Sequence, residues 1–254
     1  MFAVTIMTGR QTYHPVKAGP KPNRRQSVTR PLTEEGLVRA VRTLARRDAD
    51  LARVVREHGP PPLWPREPGF ATLVLLILEQ QVSLASARAT FNRLQNRVES
   101  LEPARIARLD ETDRISAGVT RQKAAYLRAL AEAVAGGTLN IERVAELPDA
   151  AAREHLTRIK GVGPWTSDVY LLMALRRPDV WPIGDLALAT AAHAVKGLPD
   201  RPSRDQLEEL GEAWRPWRAV AARILWHYYL STARTRVMST PRGRAAVREE
   251  RRNR

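Results

Sequence analysis

The stretch Leu156–Leu172, LTRIKGVGPWTSDVYLL, constrains the fold more than any other part of this 254-residue chain. Leu156 and Ile159 keep the apolar spacing of a helix that is ending, and Lys160-Gly161-Val162-Gly163 then makes a tight turn. Pro164 stands at a first helical position, where its missing N–H is no loss, and Val169, Leu172, Met173 and Leu175 supply the apolar stripe of a second helix. Two helices joined by so short a turn must lie side by side. Gly161 and Gly163 free the backbone for left-handed angles and for close approach to another surface. The N–H groups of Gly161, Val162, Gly163, Trp165 and Thr166 then gather at the start of the second helix, which makes a ready anion site. The same turn would serve as an ordinary αα-corner, and the hairpin alone leaves both readings open.

Asp185 follows Gly163 by 22 residues, at the end of Trp181-Pro-Ile-Gly-Asp185 and ahead of the helical pattern Leu186–Val195. Aspartate is a preferred N-cap, so position alone accounts for it. A helix N-terminus also keeps a carboxylate ionised and fixes its direction, so capping and chemistry are compatible. Taken together, the hairpin, the proline-containing loop, the aspartate and their separation resemble the HhH-GPD superfamily of DNA glycosylases, in particular its AlkA-like 3-methyladenine DNA glycosylase II group. The likeness covers most of residues 44–230.

The resemblance implies an all-α fold of two helical lobes, a central unit packed against a second lobe built from the chain's two ends, with the active-site cleft between them. It implies that Asp185 is the catalytic carboxylate. Breaking an N-glycosidic bond builds positive charge on the sugar as the base departs, and an ionised carboxylate stabilises that charge and orients or deprotonates the attacking water. The target base has to be flipped out of the duplex into a pocket. Trp165 and Trp226 match pocket tryptophans of the group, and Tyr170 and Trp181 are further candidates; an indole face attracts a cationic alkylated purine. For Trp226, helical spacing with Val220, Ile224 and Tyr229 fits a core position equally. Val169 stands where close relatives carry a pocket tyrosine. Lys160, Gly161, Val162, Gly163 and Thr166 would clamp phosphate. The corner Gln80-Gln81-Val82-Ser83 would face DNA, with Gln81 entering the gap left by the flipped nucleotide; the alternative is that the two amides simply close helix ends. Bifunctional members place a lysine where this chain has Trp165, so no AP-lyase activity is expected. The resemblance implies an optional monovalent cation on hairpin carbonyls; no other cofactor and no metal is expected.

Composition narrows the partners. The net charge of +15 falls mostly on the ends: residues 1–31 carry six basic residues and no acid, and residues 232–254 carry eight arginines against two glutamates. These stretches read as basic, disordered tails flanking one domain over 32–231, whose hairpin spans 150–176. Such tails add salt-sensitive, sequence-independent attraction to phosphate, or serve only as solubilising ends. Without cysteine there is no disulfide, no Cys-ligated zinc and no iron–sulfur cluster. The five histidines show no metal-ligand spacing. The longest apolar run, Phe70–Leu78, is far too short to cross a bilayer, and no signal-peptide pattern opens the chain, so a cytoplasmic protein, nucleoid-associated if bacterial, is expected; the resemblance implies a monomer acting on double-stranded DNA that contains damaged bases.

Along the chain, Thr33 should cap a first helix to about Arg46, with a second over 48–57 before Gly59 and three prolines. Phe70–Gln80 is apolar nearly all round and so predicts a buried helix, and Ser83 should cap Leu84–Val98. Short helices follow at 103–109 and 111–116; Thr120 caps 121–134, ended by Gly136-Gly137, and 141–147 precedes the hairpin. Ser203 should cap 205–214, and Pro216 should begin a last helix over 217–230. The function the resemblance implies is excision of alkylated purines such as 3-methyladenine and 7-methylguanine by a monofunctional glycosylase in base excision repair. A glycosylase of the same fold for deaminated or oxidised bases, and a non-catalytic DNA-binding protein, stand as alternatives.

Overall fold

Helix ends in this protein fall where caps and breakers put them. The computed structural model describes residues 30–98 and 100–239, and in them thirteen α-helices and no strand. α1 (Glu34–Arg47) starts at Thr33, whose hydroxyl accepts the Gly36 N–H at 3.0 Å. α2 (Ala49–His58) starts at Asp48, which accepts the N–H groups of Asp50 and Leu51 and also closes α1. There follow α3 (Phe70–Glu79), α4 (Leu84–Val98), α5 (Pro103–Ala107), α6 (Glu111–Ala117), α7 (Arg121–Ala135), α8 (Ile141–Ala145) and α9 (Asp149–Thr157). The last four are α10 (Pro164–Met173), α11 (Leu186–Lys196), α12 (Arg204–Glu212) and α13 (Arg218–Ser239). Thr120 caps α7, and Ser203 opens α12 in a reciprocal capping box with Gln206.

Boundaries lie within two residues of expectation except at the C-terminal end. Pro216 stands two residues ahead of α13 instead of in its first turn, and α13 continues to Ser239. Nothing in Ser231–Ser239 stops a helix, since the first breaker is Pro241. Residues 232–239, expected in a basic tail, therefore prolong the helix. The remainder of that tail and residues 1–29 lie outside the described residues.

Two compact units divide the described chain: Gly69–Thr166, and residues 30–68 joined with residues 167–239. In the first unit α3 is the core. Leu73–Glu79 is buried without interruption, and the helix packs on α4 and α7, with α6 against α4 and α5 against α7. In the second unit α13 takes that place, with Ala219–Leu225 buried and contacts to α1, α2, α11 and α12. Arg223, fully buried in this run, donates to the carbonyls of Leu63 at 2.9 Å, Ala219 at 3.1 Å and Leu172 at 2.8 Å. Burial lowers its pKa to about 10, so it stays charged at neutral pH and pins three segments by their backbones. The division between units falls inside α10. That helix is buried from Thr166 through Leu172, on all faces and not on the single stripe the spacing predicted.

Candidate functional site

The hairpin turn between α9 and α10 belongs to the first unit. Gly161 has φ +92°, and a Cβ there would lie 2.3 Å from Cγ of Tyr126, so both backbone angle and contact demand glycine. Gly163 has neither requirement: its φ is not positive and a Cβ would meet open space. Val162 corrects the expectation of a free donor, because its N–H goes to the Ile159 carbonyl at 2.9 Å and its side chain is buried. Thr166 also departs from its expected role. Its side chain is 1% exposed and accepts a hydrogen bond from Gln80, so its hydroxyl is directed into the unit and not toward phosphate. Lys160 is exposed beside the turn, and Trp165 is half-buried in the first turn of α10.

The corner between α3 and α4 is tied to this hairpin. Gln80 Nε2 donates to Gly161 O at 2.8 Å and to Thr166 Oγ1 at 2.9 Å. Gln80, expected to face DNA, therefore braces the turn. Gln81 is the residue that projects: it is exposed, with a left-handed φ of 59° that non-glycine residues seldom adopt. Ser83 accepts the Ser86 N–H at 3.2 Å and so caps α4. Val82 and Leu84, 44% and 58% exposed, flank it; pattern reading assigns such residues to a core and gave no signal of their exposure. Tyr126, the floor under Gly161, was equally invisible to spacing. Lys123, three residues before it on α7, is lowered in pKa by burial and donates to Leu78 O at 2.7 Å, at the end of α3.

In the second unit, Asp185 is half-buried and caps α11: its Oδ1 accepts the Leu188 N–H at 2.7 Å. The same oxygen accepts the indole N–H of Trp226, on α13, at 3.0 Å. Trp181 and Tyr170 are corrections to the expected pocket. Trp181 is 2% exposed, donates to Leu207 O at 2.8 Å, packs edge-on against Trp214 and lies against Gly211, where a Cβ would come 2.7 Å from its indole nitrogen. Tyr170 is fully buried. Both aromatic rings fill the core, which is where large apolar side chains gain most.

Among the described residues no group of three or more His, Asp or Glu side chains could hold a metal ion, and no helix is long and apolar enough to cross a membrane. In the turn, the carbonyls of Leu156, Ile159 and Gly161 accept N–H donors. No step is assigned to a monovalent cation there.

The Gln80-braced hairpin turn and the capping carboxylate of Asp185 fall within a single family match. A family model described as "HhH-GPD superfamily base excision DNA repair protein" matches residues 74–216, which include the Gln80–Gln81 corner, the hairpin and Asp185. The chain belongs to that superfamily. Within it, the chain is similar to "DNA-3-methyladenine glycosylase" of Bacillus subtilis, 32% identical over 122 residues, 48% of this chain and 40% of that protein's length. It is similar also to "DNA-3-methyladenine glycosylase 1" of Schizosaccharomyces pombe, 29% identical over 180 residues, 69% of this chain and 79% of the relative. A solved structure of a 3-methyladenine DNA glycosylase from the same yeast, in complex with abasic DNA, superposes with TM-score 0.68 at 27% identity, covering 74% of this chain and 95% of that one. This HhH-GPD member thus spans less than half of the bacillary relative's length but nearly all of the yeast structure.

Proposed function

We propose that this HhH-GPD protein is a monofunctional DNA glycosylase that hydrolyses the N-glycosidic bond of alkylated purines, 3-methyladenine and 7-methylguanine, in duplex DNA. One observation carries the reading: an aspartate carboxylate held by the Leu188 and Trp226 N–H donors at a helix N-terminus, inside the segment that the superfamily model matches. The names of the relatives support the substrate class. In this reading the amides around Gly161 and Gly163, with Lys160, hold phosphate. That contact fixes register without reading sequence, so selectivity falls on the damage. Gln81 enters the duplex where the nucleotide leaves, its left-handed backbone pushing the side chain outward. Trp165 offers an aromatic face to the base.

Methylation of a purine ring nitrogen makes the base a cationic leaving group, so the C1′–N bond breaks without an added acid. The bonding pair goes to the base, the sugar becomes an oxocarbenium ion, and Asp185 stabilises that charge while water adds at C1′ and its proton passes to the carboxylate. Trp165 has no amine to attack C1′, so no imine forms and the strand is not cut. The deciding experiment compares base release from methylated, deaminated and oxidised duplexes, with borohydride present in parallel reactions. Release from methylated DNA alone, with no trapped protein–DNA adduct, is expected. Release confined to uracil- or 8-oxoguanine-containing DNA would replace the substrate, and a trapped adduct would contradict the monofunctional chemistry.

A further inference from the structure

Trp226 would serve the reaction as a base receptor if its ring were open to a ligand, but its surroundings give it another task. It is 8% exposed, at the end of the run Ala219–Leu225 in which every residue is buried. Of an aromatic surface of about 250 Å², that fraction leaves about 20 Å² free, too little for a stacked purine. Its indole N–H, by contrast, is engaged with Asp185 Oδ1 at 3.0 Å, on the oxygen that also takes the Leu188 N–H at 2.7 Å. A helix cap alone leaves a carboxylate free to rock about the capped oxygen. A second donor, arriving from α13 while the first comes from α11, removes that freedom. The donor is also neutral. Such a donor orients the carboxylate without itself adding a positive charge that would weaken the pull on a sugar cation.

We propose that Trp226 is a positioning residue: its indole N–H holds the Asp185 carboxylate in the orientation that meets the positive charge developing on the sugar. This rests on the reading of Asp185 as the catalytic carboxylate. The test replaces Trp226 in the full chain with benzothienylalanine, the sulfur isostere that keeps the bicyclic shape and lacks the N–H, beside Trp226→Phe as the simpler variant. Single-turnover base release from methylated duplex DNA and the Kd for the same duplex are measured together. The isostere should release base about tenfold or more slowly, as for a lost hydrogen bond to a charged group, with its Kd essentially unchanged. A wild-type rate in the isostere overturns the proposal; if rate and Kd weaken together in Trp226→Phe while the isostere behaves as wild type, the ring is a receptor instead. The ¹⁵N–¹H indole resonance of Trp226 provides a readout independent of activity. It should move in Asp185→Ala, where no acceptor remains, and a resonance that stays in place excludes the contact. If the wild type releases no base at all, the glycosylase reading fails with the catalytic role, while the resonance still decides whether the bond exists.

Discussion

Gly161 concentrates two demands in one residue. Its φ of +92° penalises any side chain, and Tyr126 occupies the space where a Cβ would go. Gly161→Ala should therefore destabilise the fold by about 2–5 kcal/mol, the sum of backbone strain and overpacking, measurable by urea unfolding. Gly163→Ala, with open space and no left-handed angle, should cost less than about 1 kcal/mol. The sequence showed two glycines in a turn but not which one the turn requires, because that depends on Tyr126, 35 residues earlier. The aromatic residues divide in the same way. Chain position could suggest Trp181, Tyr170 and Trp226 as pocket residues, but not that Trp181 would find Leu207 O and Trp214, or that Trp226 would find Asp185. Those partners come from elements distant in the chain.

Between elements, Gln80 is the joint. Its amide links the α3–α4 corner to the hairpin, so the exposed Gln81 and the turn amides are held as parts of one unit. Gln80→Ala should leave the buried Thr166 hydroxyl and the Gly161 carbonyl short of a donor and cost about 1–3 kcal/mol in unfolding experiments. It should also weaken binding to undamaged duplex DNA, measured by fluorescence anisotropy, although Gln80 touches no phosphate in this account. An unchanged affinity would mean that the corner keeps its place without the joint. Helix boundaries were the most legible feature of the sequence, because caps such as Thr33, Asp48, Thr120 and Ser203 act on their own next few residues. The end of α13 is illegible for the converse reason: its last turns are basic and have no cap or breaker, and charge does not end a helix.

On the scale of the molecule, the second unit is secured by a polar cluster as well as by its core. Lys196 on α11 reaches Asp48 at 3.1 Å and Asp50 at 2.7 Å, and Trp214 donates to Asp48 at 2.8 Å. Burial alone would raise the Asp48 pKa, but the bonds from Trp214, Leu51 and Lys196 outweigh it and hold the group below the usual 3.8; Asp50 is lowered chiefly by its bond to Lys196. For Lys196, burial opposes the charge, yet the two carboxylates keep its pKa above 10.5. The carboxylates' contribution to stability is complete above the ordinary carboxylate range and is lost as pH falls through their lowered values. That of Lys196 is complete below 10.5 and is lost as pH rises through its raised value. Lys196→Met should cost about 1–3 kcal/mol at pH 7 and flatten the acid-side fall in urea stability below about pH 4.

All of these parts matter to function only if Asp185 is the group that drives base loss. Asparagine retains the cap to Leu188, so Asp185→Asn isolates the charge from the fold. The most direct measurement is single-turnover release of methylated purines from duplex DNA by wild type and by Asp185→Asn, with DNA affinity measured in parallel. Release by the wild type, a loss of about 100-fold or more in the variant, and unchanged binding are expected. Release by Asp185→Asn at the wild-type rate would contradict the catalytic role of Asp185.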